Sequence, residues 1–222
     1  MTSLLTLPTS DSLPRWQPAT WEDYMQVRDR LLEGSASLFF NRGYLLIEMG
    51  EGISHASFHS LMGIIFFIWF SQKSQRPFHS LNGCLMEKTG KQAASPDLVL
   101  YIGEGFPQWQ TGESRYLNLD HWRVPNLVGE VGDTTIATDL DEKKQLYAAL
   151  GVPEYWVVDG KGSRVLAFLL DETGKYQQSE ISTALAGLPL SLLSQTLEKL
   201  NQGMPNGTAA QWFAQQIESL NS

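Results

Sequence analysis

The sequence predicts an α/β (α+β) protein with one principal domain, and two observations carry that reading. Over residues 127–159 a β-prone run, an amphipathic helical stretch and a second β-prone run follow one another across the length of a βαβ unit, which makes the two strands parallel neighbours. Elsewhere, short β-prone runs bounded by Gly, Pro and polar turns are interspersed with segments of helical periodicity. With 222 residues, 42% of them hydrophobic and 18% charged, the chain can bury a substantial core.

Taken in order, residues 1–19 carry Pro8, Pro14 and Pro18 among small polar residues and read as a loosely ordered arm. Thr20 and Asp23 have the spacing of a capping box, and Trp21, Tyr24, Val27, Leu31 and Leu32 recur behind them at helical spacing until Gly34. The run GYLLIEM at 43–49 reads as a strand closed by Gly50 and Gly52. A long helix opens at Ser54 and passes through His55, His59 and LMGIIFFIWF to about Phe70. That apolar block is only about half the roughly 20 residues of a membrane span, so a buried helix is the preferred reading. The i, i+4 pair His55 and His59 has the spacing of metal ligands on one helix face, but no third ligand is evident nearby and an incidental pair is preferred.

Strands are expected at 81–87 and at Leu98–Ile102, joined by the polar segment KTGKQAASP, with Asp97 opening the second. A Gly-, Pro- and Trp-rich stretch over 103–122 is long enough to be a functional loop or to hold short elements of its own. After a strand at 127–131, Asp139 and Glu142 resemble a capping box, Gly151 stands where a left-handed helix end is wanted, and Pro153 bars continuation. Strands at 155–159 and 165–170 complete the core domain, placed at 20–180. Residues 181–222 read as a helical extension, with amphipathic stretches at 190–200 and beyond Asn206. Its stripe of Trp212, Phe213, Ile217 and Leu220 packs on the domain or on another subunit, so a homodimer is one expectation.

The single cysteine, Cys84, excludes an intramolecular disulfide framework and fits a reducing compartment. The opening MTSLLTLPTS lacks a basic n-region, so the expectation is a cytoplasmic protein that does not enter a membrane. A formal charge of −8 argues against coating nucleic acid by bulk electrostatics. Lys73, Arg76, Lys88 and Lys91 form a local basic group with Glu87 the one acid among them, and an ordinary solvated face is the preferred account of it.

Lys143 is the residue that singles out a site. On a helix at 139–150, at about 100° per residue, Leu140, Leu146, Tyr147 and Leu150 share one side and Lys143 lies at the centre of their arc, whereas Lys144 reaches the flank. An inward ammonium needs an acid beside it. Asp97 and Glu130 are the candidates, and Asp139, at i, i+4, competes as an ordinary structural partner. A carboxylate at one strand start and another inside a neighbouring strand also suit a hard divalent cation such as Mg²⁺ or Mn²⁺, which the Val131 carbonyl could help to ligate. A nearby lysine would then position water or offset developing phosphate charge.

Ser95-Pro96-Asp97-Leu98-Val99, then Asn126-Leu127-Val128-Gly129-Glu130-Val131, Asp139-Leu140-Asp141-Glu142-Lys143, Tyr147 and GVPEYWVVD together resemble the Uma-type restriction endonucleases of the PD-(D/E)XK superfamily, most strongly over 95–159. Residues 43–55 are similar to that family's N-terminal strand, turn and His-containing helix. The resemblance implies a restriction-endonuclease-like core of mixed sheet flanked by helices. It also implies divalent metal at Asp97 and Glu130, Lys143 completing the catalytic set, and hydrolysis of phosphodiester bonds in DNA. Glu48, His55 and Asp139 are candidate supporting residues. In the superfamily the lysine commonly stands two residues after the glutamate; here that position is Gly132, and the lysine of the following helix takes its place. Tyr44 stands where relatives often carry an acid, with Glu48 on the same strand face. Gly132-Asp133-Thr134-Thr135 replaces a hydrophobic-Ser-Pro pattern, Asp133 reading as a loop acid or cap. The alternative is a non-catalytic module of the same fold, binding nucleic acid or protein, in which Asp97, Glu130 and Lys143 form a structural ion-pair cluster.

Overall fold

The computed structural model describes residues 14–31, 36–49, 52–132 and 135–220. Its elements are β1 (Gln17–Pro18), α1 (Trp21–Leu31), β2 (Ala36–Asn41), β3 (Tyr44–Met49), α2 (Ile53–Trp69, extended by a π-helical turn over Phe70–Ser74), β4 (Phe78–Ser80), β5 (Met86–Lys88), β6 (Gln92–Ala94), β7 (Leu98–Ile102) and β8 (Leu117–Asn118). Then come β9 (Leu127–Gly132), α3 (Ile136–Leu140), α4 (Glu142–Leu150), β10 (Glu154–Asp159), β11 (Arg164–Leu170), β12 (Tyr176–Ser179), α5 (Leu190–Asn201) and α6 (Asn206–Ser219).

Two mixed sheets form the centre. One runs β1-β3-β2-β6-β5-β8, the other β12-β11-β10-β9-β7-β4. In the second, β9 and β10 are parallel and are joined through α3 and α4, as the βαβ pattern predicts. Three hydrophobic clusters layer the molecule. α1 covers the outer face of the first sheet through Tyr24 and Val27 against Phe40, Leu45 and Ile47. The two sheets meet through Phe39, Leu46 and Met86 against Val99, Tyr101, Val128 and Val157, with Leu146 and Tyr147 of α4 in the same layer. On the far face of the second sheet, Leu98, Leu100 and Leu127 meet Phe58, Leu61, Ile65 and Phe66 of α2 and Phe213 and Ile217 of α6. The stripe on α6 is thus covered from within the chain, although Leu220 is half exposed. By length and composition the helix over Ile53–Ser74 could cross a membrane, and here one face of it is packed into this core.

The N-terminal capping box forms as predicted: Thr20 Oγ1 accepts from the Asp23 N–H at 3.1 Å and an Asp23 carboxylate oxygen accepts from the Thr20 N–H at 2.9 Å. Several expectations change. Of the N-terminal arm, 1–13 lie outside the described residues, but Gln17–Pro18 adds an edge strand to β3. The chain at 36–41 forms β2, paired with β3 across a two-residue turn in which Arg42 and Gly43 both have positive φ, the geometry that hairpin twist requires. The strand expected over 81–87 is replaced by β4 and β5 with a turn at Asn82 and Gly83 between them, and the polar connection contributes β6. The helix expected from Asp139 is instead two, broken at Asp141 (φ −120°, ψ −86°). No capping box forms there, because the Asp139 side chain turns inward to other partners. Gly151, at φ 77°, ends α4 as expected.

Glu154, at the start of β10, is fully buried. Its Oε1 accepts from the Trp156 indole N–H at 2.6 Å, and Oε2 accepts from the Thr183 N–H, the Thr183 hydroxyl and the Ala184 N–H at 2.9, 2.8 and 2.7 Å. The acid of the GVPEYW motif is therefore the anchor of the segment that leads to α5.

Candidate active site

Strand alternation sets which side chains reach the layer between the sheets. Along β7, Leu98 and Leu100 turn toward α2 and Val99 and Tyr101 toward the first sheet, so Asp97, one residue before the strand, faces the first sheet. Along β9, Leu127 and Val131 face α2 and Val128 faces the first sheet, and Glu130 shares the direction of Val128. From the opposite sheet, Leu46 of β3 enters the same layer and Glu48 follows it on the same strand face. Lys143, in the first turns of α4, is 1% exposed and stands among them.

The Lys143 ammonium lies 2.9 Å from Glu48 Oε2, 3.1 Å from Glu130 Oε2 and 3.1 Å from Asp139 Oδ1. Its Nζ is also 4.1 Å from the centre of the Phe39 ring. The second oxygen of Glu130 accepts from the Tyr147 hydroxyl, and Asp139 Oδ2 accepts from the Thr135 hydroxyl at 2.9 Å. Asp97 is held separately: Oδ2 accepts from the Val131 N–H at 2.6 Å, and Oδ1 lies 3.3 Å from His55 Nε2. Since the N–H and C=O of one strand residue point to the same edge, the Val131 carbonyl faces the Asp97 side of β9. The structure thus brings Asp97, Glu130, Lys143, Val131, Glu48, Asp139 and His55 into one neighbourhood, although Asp97 is not among the carboxylates that touch Lys143. Asp133 lies outside the described residues. His59 stacks edge-on to His55 at 6.2 Å, and among the described residues no three His, Cys, Asp or Glu side chains form a ready metal cage.

Burial dominates the electrostatics. It pushes the Glu130 carboxyl well above its ordinary range, with Lys143 opposing and Asp97, Asp139 and Glu48 adding to the rise. Glu48 and Asp139 are raised for the same reason, again with Lys143 opposing. Burial alone would weaken the hold of Lys143 on its proton, but Glu130, Glu48 and Asp139 reverse that, and the ammonium sits above the usual lysine range. Side-chain exposure is 19% for Glu48 and 11% for Asp97 against 3% for Glu130, so the cluster opens to solvent on the Glu48 and Asp97 side, with Lys143 and Glu130 at its floor.

A family model described as "Uma2: Putative restriction endonuclease" matches residues 21–203. The chain belongs to the Uma2 family. Among solved structures, a "putative nuclease belonging to DUF820" from Anabaena variabilis ATCC 29413 is similar in fold, with a TM-score of 0.54 and 14% sequence identity over 81% of this chain and 99% of that one. No curated protein matches.

The Uma2 core accounts physically for the place of the lysine. A Cβ built at Gly132 would lie 2.4 Å from Ile136 Cδ1 and 2.9 Å from Asp139 Oδ2, closer than real Cβ atoms approach. α3 therefore packs closely over the end of β9, so a side chain two residues after Glu130 would have to displace those of Ile136 and Asp139, and the ammonium stands on α4. Two further residues of this Uma2 site escaped the sequence reading. Tyr147 was legible on the apolar face and among the residues of the family resemblance, but without a role at the site, although its position four residues after Lys143 could have marked it as a neighbour; Thr135 was legible only as part of a departure from the family pattern.

The donor set fits a divalent cation. Four acids, Glu48, Asp97, Glu130 and Asp139, surround one buried lysine that touches three of them, leaving the cluster short of positive charge by three formal units (−4 + 1). Glu48 Oε1 is buried without a hydrogen-bond partner.

Proposed function

We propose that this Uma2 chain is a nuclease dependent on a divalent metal, Mg²⁺ or Mn²⁺, and that its substrate is DNA. One observation carries the reading: buried acids outnumber the single ammonium set among them, at the solvent-facing end of the layer between the sheets. Asp97, Glu130 and the Val131 carbonyl would hold the metal, with water or phosphate oxygens completing its shell. When bound, the ion would neutralise phosphate charge and polarise the scissile P–O bond. Lys143, which keeps its proton, donates hydrogen bonds that orient the attacking water and offset the negative charge developing on the phosphoryl oxygens. Val131 and His55 hold the two oxygens of Asp97, Tyr147 holds Glu130, and Glu48 Oε1, which has no hydrogen-bond partner, is the acceptor open to a proton from the attacking water.

The rival is the non-catalytic module, favoured by the close fit of Lys143 to three carboxylates. Calorimetric titration of Mn²⁺ into wild type and Asp97→Ala, with plasmid cleavage in parallel, separates the two. Binding and cleavage by wild type alone support the nuclease; no heat and no cleavage in either protein sinks it.

A further inference from the structure

The long segment between β7 and β9 builds a second feature. With the chain at 81–84 it lines an open cavity of about 430 Å³, in the size range of small-ligand sites. Its lining includes Trp109, Tyr116 and Trp122 together with Leu81 and Cys84, and the charged pair Arg115 and Glu113. Two of the rings have fixed partners. The Trp109 indole N–H donates to the Glu113 carbonyl at 3.2 Å, and Glu113 Oε2 accepts from the Gln110 N–H at 3.0 Å. The Arg28 guanidinium, paired with Glu87 at 2.8 Å, lies 5.2 Å from the centre of the Tyr116 ring. Trp109 is nonetheless 62% exposed, an unusual state for so large an apolar ring.

The cavity's lining is tied by backbone to the strand that begins after Asp97. Leu81 and Cys84 flank the turn whose Gly83 N–H donates to the Asp97 carbonyl at 3.2 Å, and the Leu81 N–H donates to the Val99 carbonyl at 2.9 Å. Leu81, Cys84 and Leu117 all pack on the layer between the sheets, the same layer that Asp97 faces. Its lining charges, Arg115 and Glu113, balance, so the cavity does not favour a phosphate. Flat aromatic walls with donors and acceptors at the edge suit a neutral heteroaromatic ring. We propose that this cavity receives an unstacked nucleobase of the substrate strand while the adjacent phosphate lies at Asp97. The proposal rests on the nuclease reading for the position of that phosphate, and it names the preferred substrate as a strand with a base out of its stack, single-stranded or locally opened.

The test is binding in EDTA, where cleavage is blocked. A short labelled single-stranded oligodeoxynucleotide, an abasic strand of equal length and the fully paired duplex are each titrated with wild type, Trp109→Ala and Trp109→Phe. Wild type is expected to prefer the base-bearing single strand over both others by about tenfold or more, the size of one base–aromatic stack. Trp109→Ala should lose that preference with its melting temperature and abasic-strand affinity unchanged, and Trp109→Phe should restore most of it. Equal affinity for base-bearing and abasic strands, no binding at all, or indifference to Trp109→Ala overturns the proposal. Cleavage in Mn²⁺ is read separately: cleavage without a base preference removes the cavity's role alone, and a base preference without cleavage removes the nuclease reading alone.

Discussion

Lys143 is where burial and charge meet most sharply. Because three carboxylates share its ammonium, Lys143→Met strands buried negative charge, and we expect a loss of about 3–5 kcal/mol in denaturant unfolding together with loss of cleavage. A neutral Lys143→Met would argue that the acids take up protons instead. Tyr147→Phe removes one donor to Glu130 and should cost about 1–3 kcal/mol while the protein still binds Mn²⁺. Gly132 gives a sharper test. Moving the lysine to its common superfamily position, as Gly132→Lys in a Lys143→Met background, should fail to rescue cleavage and should lower the melting temperature further, because a side chain there displaces those of Ile136 and Asp139.

Among elements, the parallel pair β9 and β10 and the helices of the C-terminal segment were legible because their periodicity is strong over many residues. β2, β5 and β6 were not: the latter two are three residues long, and β6 is a polar and small-residue triplet whose pairing is decided by its neighbours rather than by pattern. The break at Asp141 was hidden because the helical spacing of Leu140, Lys143 and Tyr147 runs on across it. For the site, the inward direction of Lys143 could be read from helical spacing and the strand positions of Asp97 and Glu130 from the β-prone runs. That three acids converge on one nitrogen could not, since the docking of two sheets sets it. Glu154 offers a prediction at this scale. Glu154→Ala removes the acceptor of four hydrogen bonds, and hydrogen exchange should quicken in the segment from Thr183 into α5 before it changes in β9.

For the molecule as a whole, the buried acids tie stability to pH and metal. An acid whose folded-state pKa is raised contributes most below its unfolded value, and that contribution is lost as pH rises through the folded one. In metal-free buffer, wild type should therefore lose stability relative to Glu130→Gln as pH rises from about 4.5, the ordinary glutamate value, toward neutrality. Added Mn²⁺ should restore the loss in wild type alone, as ligand linkage requires. A gap between the two melting curves that does not move with pH would contradict the buried, charge-poor description of the site.

Glu48 comes from one sheet and Asp97 and Glu130 from the other, with Lys143 supplied by a helix lying between them. None of the separate layers holds the set, so a half-assembled chain, whether newly made or partly unfolded, has no scissors to close. Strand-cutting ability would then switch on only when the last long-range packing step is complete, which makes the fold its own safety catch.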